Sequence, residues 1–248
     1  MISSMPIVGV TLRGLLGRRR TLLMLLLVAL PVLIGLLVRL TGRGVDVDRI
    51  LDAMLVRTVL PLVALVLGTA ALGSELEDGT AVYLMIKPVR RWRIVGAKMV
   101  VAAGLTVALV VPSALLTGVL AGGAGSTAFP TTIGFAVAVA LGGSAYACVF
   151  VGLSAYTSRA LVLGLGYTMI WEGVLAGLLE GTRFLSIRQA TLGIARGLAG
   201  PERAAFTTAG EQGSLDLGLS LVIVSLAAVL AFVLGTIRLA RFEIRGAD

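Results

Sequence analysis

The chain has 248 residues, 58% hydrophobic and only 14% charged, with a formal net charge of +8; soluble domains carry roughly 25% charged residues, so a soluble enzyme is excluded and a membrane protein indicated. Histidine is absent, which removes Ser-His and Cys-His catalysis and the HExxH zinc site. Arginine outnumbers lysine 19 to 2, but the arginines flank apolar runs and form no single basic face, so they orient a chain in a lipid bilayer and do not bind nucleic acid.

The first segment, Ser4 to Arg20, reads as an amphipathic helix on the inner membrane surface: Ser4 is an N-cap candidate and Pro6 sits in the first turn. The arginine triplet Arg18, Arg19 and Arg20 before an apolar run resembles a secretory signal. No small-residue cleavage site follows and five more apolar runs do, so a retained first helix is expected.

A hydrocarbon core of about 30 Å takes roughly 20 helical residues. Six runs supply them, predicting an all-α membrane domain over 1–248 with spans at Thr21 to Leu40, Leu55 to Leu72, Met99 to Ala121, Thr131 to Tyr156, Ala160 to Leu179 and Leu217 to Leu239. Pro31, Pro61 and Pro112 fall inside spans, where neighbouring helices satisfy the freed carbonyls.

Between spans two and three the chain reads GSELEDGTAVYLMIKPVRRWRIVGAK, which concentrates charge between two apolar runs. Ser74 and Glu77 form an S-x-x-E capping box. Glu75, Glu77 and Asp78 then suit the first turn of a helix, where the dipole favours acids. Pro88 ends that helix by Ile86, and Arg90, Arg91, Trp92 and Arg93 make a basic aromatic belt before the third span, with Lys98 also near the inner surface. Acids on this side serve no topological purpose; beside apolar Val82, Tyr83, Leu84 and Met85 they suit a surface that docks into a cytoplasmic partner.

Cys148, the single cysteine, lies in an apolar run and reads as a small buried hydrophobe. Gly143 and Ser144 invite an intramembrane serine-protease reading, but no histidine exists to act as base. A minimal turn at Thr157, Ser158 and Arg159 leads to span five, which carries Gly173 and Gly177 in small-xxx-small spacing. It also carries Trp171 and Glu172, an acid that is expensive in mid-span unless paired or facing water. Arg57, Arg183 or Arg188 are its expected partners; a substrate-cavity role and proton coupling stay open beside pairing.

In the long segment between spans five and six, Phe184 to Leu198 draws as an amphipathic helix. Phe184, Ile187, Ile194 and Leu198 share an apolar arc opposite Ser186, Gln189, Gly193 and Arg196, which predicts a helix lying at or dipping into the outer interface. Basic residues number 13 on the side of the termini against eight on the other, so both termini are expected in the cytoplasm of a bacterial inner-membrane, multi-pass protein.

The pattern E-x-x-x-G-T, a short apolar run, P-V-x-R and a lysine at the next span is here Glu75, Gly79, Thr80, Leu84, Pro88, Val89, Arg90 and Lys98. It resembles the permease subunits of the type-2 family of ATP-binding-cassette exporters. So do the basic opening segment, the order of spans and the stretch from Trp171 through Arg188. The resemblance implies a homodimer joined to two copies of a cytoplasmic ATPase subunit, which would bind ATP and Mg. It also implies a coupling helix over Ser74 to Ile86, a minor contact around Thr157, Ser158 and Arg159, and outer re-entrant helices near Phe184 to Leu198. Neither lysine has G-x-x-x-x-G-K-[ST] spacing, so no cofactor, nucleotide, metal or catalytic residue is expected on this chain. The competing reading is a proton-coupled secondary transporter using Glu172, although no repeat relates the two halves.

Overall fold

The computed structural model describes residues 18–42, 47–77, 91–122, 129–157, 159–175, 184–199 and 215–240. The described residues are almost all helical, with no strand among them. α1 is Arg18–Thr41; α2, Val47–Ile50, runs into a π-helical stretch π1, Leu51–Val59, and then α3, Leu60–Glu77. α4 is Arg91–Gly122 and α5 is Phe129–Ser154. α6, Ala160–Gly166, continues as a second π stretch π2, Tyr167–Leu175; α7 is Ile187–Ala199 and α8 is Leu217–Ala240.

Five helices are long and apolar enough to cross a membrane: Arg20–Thr41, Val47–Leu72, Arg91–Gly122, Phe129–Ser154 and Leu217–Leu239. The expected fifth span is represented by the shorter apolar helix Ala160–Val174, and the end placed at Leu179 lies outside the described residues. The expected surface helix Ser4 to Arg20 is likewise outside them, except that Arg18 to Arg20 form the first turn of α1.

Burial sorts the spans. In the second and fourth, 61% of the apolar window is buried, against 17% in the first and last. The pair α3 and α5 is therefore the core, and α1 and α8 present Leu22, Leu23, Leu40, Val222 and Leu226 outward. Such faces suit hydrocarbon, since lipid tails are as apolar as leucine. α5 packs against α4, α7, α3 and α8; at its centre Tyr146 and Phe150 stack with ring centroids 5.9 Å apart.

The two π stretches have a common signature. An α-helix places residues five apart about 140° around its axis, whereas an i→i+5 ladder brings them onto one face. In π1 the Leu60 amide donates to the Leu55 carbonyl, Thr58 Oγ1 donates to the Ala53 carbonyl, and Arg57 pairs with Asp52 at 3.0 Å. Each of these contacts spans five residues. Pro61 lies just beyond; its ring would clash with the carbonyl four residues back in an α-helix, and a widened turn relieves this. In π2 the corresponding pair is Tyr167 and Glu172.

Candidate functional site

Two buried polar clusters stand out among the described residues. The first is built around Glu172, which is 3% exposed. Its Oε1 accepts from the Tyr167 hydroxyl and from the Ile187 backbone amide, each at 3.0 Å, and its Oε2 accepts from the Ser186 hydroxyl. Ser186 in turn accepts from the Gln189 amide at 3.1 Å.

The carboxylate thus sits on the N-terminus of α7, where free amides and the helix dipole favour an anion, while Ser186 is the N-cap of that helix. Fully buried Tyr146 faces the carboxylate with its hydroxyl and lies in electrostatic reach of Arg188 as well.

The path of α7 explains the depth of this cluster. A Cβ at Gly134 would meet Ala195 and Ala199, one at Gly142 would meet the Thr191 side chain, and Tyr146 faces the start of the helix. α7 therefore runs antiparallel to α5, starting beside Tyr146 and ending beside Gly134, about 18 Å along α5 at 1.5 Å per residue. Without a side chain, Gly142 lets the two backbones close on Thr191.

Of the expected alternatives, a helix lying at the outer interface or dipping into it, α7 takes the deeper position. A helix forms where predicted, but it enters the bundle: Arg188, Gln189, Thr191 and Gly193 are buried, whereas Phe184 and Leu198 of the predicted apolar arc are exposed. Within α7 the Thr191 hydroxyl donates to the Ile187 carbonyl at 2.8 Å and the Gln189 amide to Ser186 Oγ at 3.1 Å. Arg57 is corrected as a partner for Glu172, since the π register turns it onto Asp52. Arg188 joins the Glu172 cluster, Trp171 is half-buried beside it, and Arg183 lies outside the described residues.

The second cluster lies at the basic end. Lys98 is fully buried, and its Nζ donates to the Ala71 carbonyl of α3 at 2.5 Å. The Arg91 guanidinium donates to the Leu239 carbonyl near the end of α8. Tyr156 donates to the Leu234 carbonyl at 3.1 Å, beneath the Arg238 guanidinium 5.6 Å from its ring. Arg93 lies over the ring of exposed Trp92, 5.3 Å from its centroid. The expected basic aromatic belt is present in Trp92 and Arg93, but Lys98 is no surface residue: α4 begins seven residues earlier than Lys98, so the lysine lies about two turns inside it.

A second correction concerns Ser74. No new helix begins there: α3 runs unbroken from Leu60 through Ser74 and Glu75 to Glu77. Propagating an existing helix adds one bond per residue fixed, whereas nucleating another is costly, so the S-x-x-E pattern is read through as ordinary helix. The side chains of Glu75 and Glu77 lie outside the described residues, as do Asp78, Gly79, Thr80, Tyr83, Leu84, Pro88, Arg90 and Ser158. Arg159 is exposed, and its amide donates to Thr157 Oγ1 at 3.2 Å just before α6.

Tyr167, Ser186 and the Ile187 amide were not anticipated as parts of a site. A signal for the last two was present: Ser186 and Gln189 form S-x-x-Q, a capping-box pattern at the residue just before α7 begins.

Among curated proteins, none matches the chain. A family model described as ABC-2 family transporter protein matches residues 16–176, spanning the first five apolar runs, both π stretches and Glu172, and the chain therefore belongs to the ABC-2 family of membrane transport proteins.

Proposed function

We propose that the chain, as a single domain over 1–248, is the permease subunit of an ATP-driven exporter in a bacterial inner membrane, with both termini and the basic end of the bundle in the cytoplasm. The observation that carries this reading is the family match over residues 16–176, joined to five apolar helices of membrane-crossing length. Two permease chains pair as a homodimer, and two copies of a separate cytoplasmic subunit bind ATP and Mg and hydrolyse the nucleotide. This chain supplies the passage and the coupling surface.

Energy enters through residues 78–90, which follow α3 ending at Glu77 and precede α4 beginning at Arg91. Glu75, Glu77 and Asp78 give this region an acidic face, and Gly79, Thr80, Tyr83, Leu84, Pro88 and Arg90 complete the docking element. Ser158 and Arg159 form a minor second contact. Deep in the bundle, Glu172 holds the N-terminus of α7 between the spans.

Reversing the charge of Glu75, Glu77 and Asp78 together to lysine tests this assignment. The expected result is loss of co-purification with the ATPase subunit, or hydrolysis no longer linked to transport in reconstituted vesicles. A triple variant that assembles and couples like the parent would sink the docking assignment.

A further inference from the structure

Two cations on α4 tie it to its neighbours, one to α3 and one to α8, and α3 and α4 are the helices on either side of residues 78–90 in sequence. Of these cations, Lys98 donates to the Ala71 carbonyl of α3 at 2.5 Å, and Arg91 reaches the Leu239 carbonyl of α8. Leu239 is in the last turn of its helix, where carbonyls lack an intrahelical donor, so Arg91 caps α8. Ala71 lies mid-helix, six residues before Glu77, and its carbonyl already serves the helix ladder. Lys98 uses the second lone pair.

Burying an ammonium is expensive unless it is well satisfied, and an unbranched apolar side chain of similar reach fills the same volume without that penalty. A fully buried lysine on a neighbouring helix therefore points to a requirement for a directional tie. We propose, resting on the exporter reading above, that Lys98 is a positioning residue. It locks α3 to α4, and with Arg91 locks both to α8, so displacement at 78–90 moves these helices as one body.

Without Lys98, a pull on Glu77 is taken up by the last turns of α3, since helix ends open more readily than helix centres. Nucleotide hydrolysis would continue while movement at the far end fades.

The test uses the reconstituted complex with its ATPase subunit, with ATP plus vanadate as the driving probe. Spin labels enter through L40C and V222C in a C148A background; both label positions are exposed near the ends of α1 and α8 opposite the basic end. The readouts are ATP hydrolysis and the driven change in label distance. Lys98→Met is expected to keep hydrolysis but lose movement per ATP at least about fivefold, the lower end of ordinary coupling free energies. Lys98→Arg, which keeps charge and donors, is expected to restore it, and Lys98→Gln to fall between.

Should Lys98→Met fail to assemble, the glutamine and arginine variants decide. Glutamine coupled as fully as the parent overturns the proposal; a graded loss supports it. Full movement in an assembled Lys98→Met variant overturns the tie while leaving the exporter reading intact. An absence of driven movement in the parent overturns the exporter reading and the tie with it.

Discussion

Glu172 and Lys98 are both almost fully buried and carry opposite charges, and each is held by the helix backbone group of the complementary sign. Glu172 accepts from the amide and hydroxyl that open α7; Lys98 donates to a carbonyl of α3. In a bilayer no water is at hand to solvate either charge, so helix backbone stands in for it. The difference lies in where the holding groups come from. Three donors from two elements converge on the carboxylate, while the ammonium reaches from α4 to a mid-helix carbonyl of α3 on a flexible stem.

The sharpest break of the comparison is Glu172→Leu. It strands the Tyr167 and Ser186 hydroxyls and the Ile187 amide in a buried site, and each buried donor left without a partner costs about 1–3 kcal/mol. Unfolding of the purified protein should register that loss, with Glu172→Gln retaining part of it through its remaining carbonyl oxygen. Stability unchanged in Glu172→Leu would mean that α7 is not anchored by this acid. Next in size is Ser186→Ala, which removes the N-cap of α7 together with one donor to Glu172. Loss of such a cap costs about 0.5–2 kcal/mol, read in the same unfolding assay, and faster hydrogen exchange confined to the first turn of α7 would locate it.

Spans were legible wherever a long apolar run had to be helical in lipid: α5 and α8 start and stop within two residues of their predicted limits. Polar residues were harder, because sequence says where a charge is but not what the fold brings to it. The S-x-x-E pattern at Ser74 and the S-x-x-Q pattern at Ser186 are locally equivalent, yet only the second caps a helix; the first has a helix already running into it. Glu172 was recognisable as an expensive acid, but its partner was sought among arginines when backbone and hydroxyl donors sufficed. Lys98 read as a surface residue because the apolar run begins beside it, whereas its helix begins at Arg91.

The π register hides in sequence for the same reason, since it depends on pairs five residues apart that no α-helical periodicity would join. It leads to the smallest expected effect. The Arg57 side chain is 43% exposed and the Asp52 side chain 15%, and an ion pair with one partner so open contributes about 0–1 kcal/mol. Arg57→Gln should therefore lower stability by less than about 1 kcal/mol. Because Arg57 is committed to Asp52 and Glu172 to α7, the double variant Arg57→Gln with Glu172→Leu should equal the sum of the single losses within about 0.5 kcal/mol. A coupling energy clearly larger than that would join the two residues after all, and would return Glu172 to the role of one half of an ion pair.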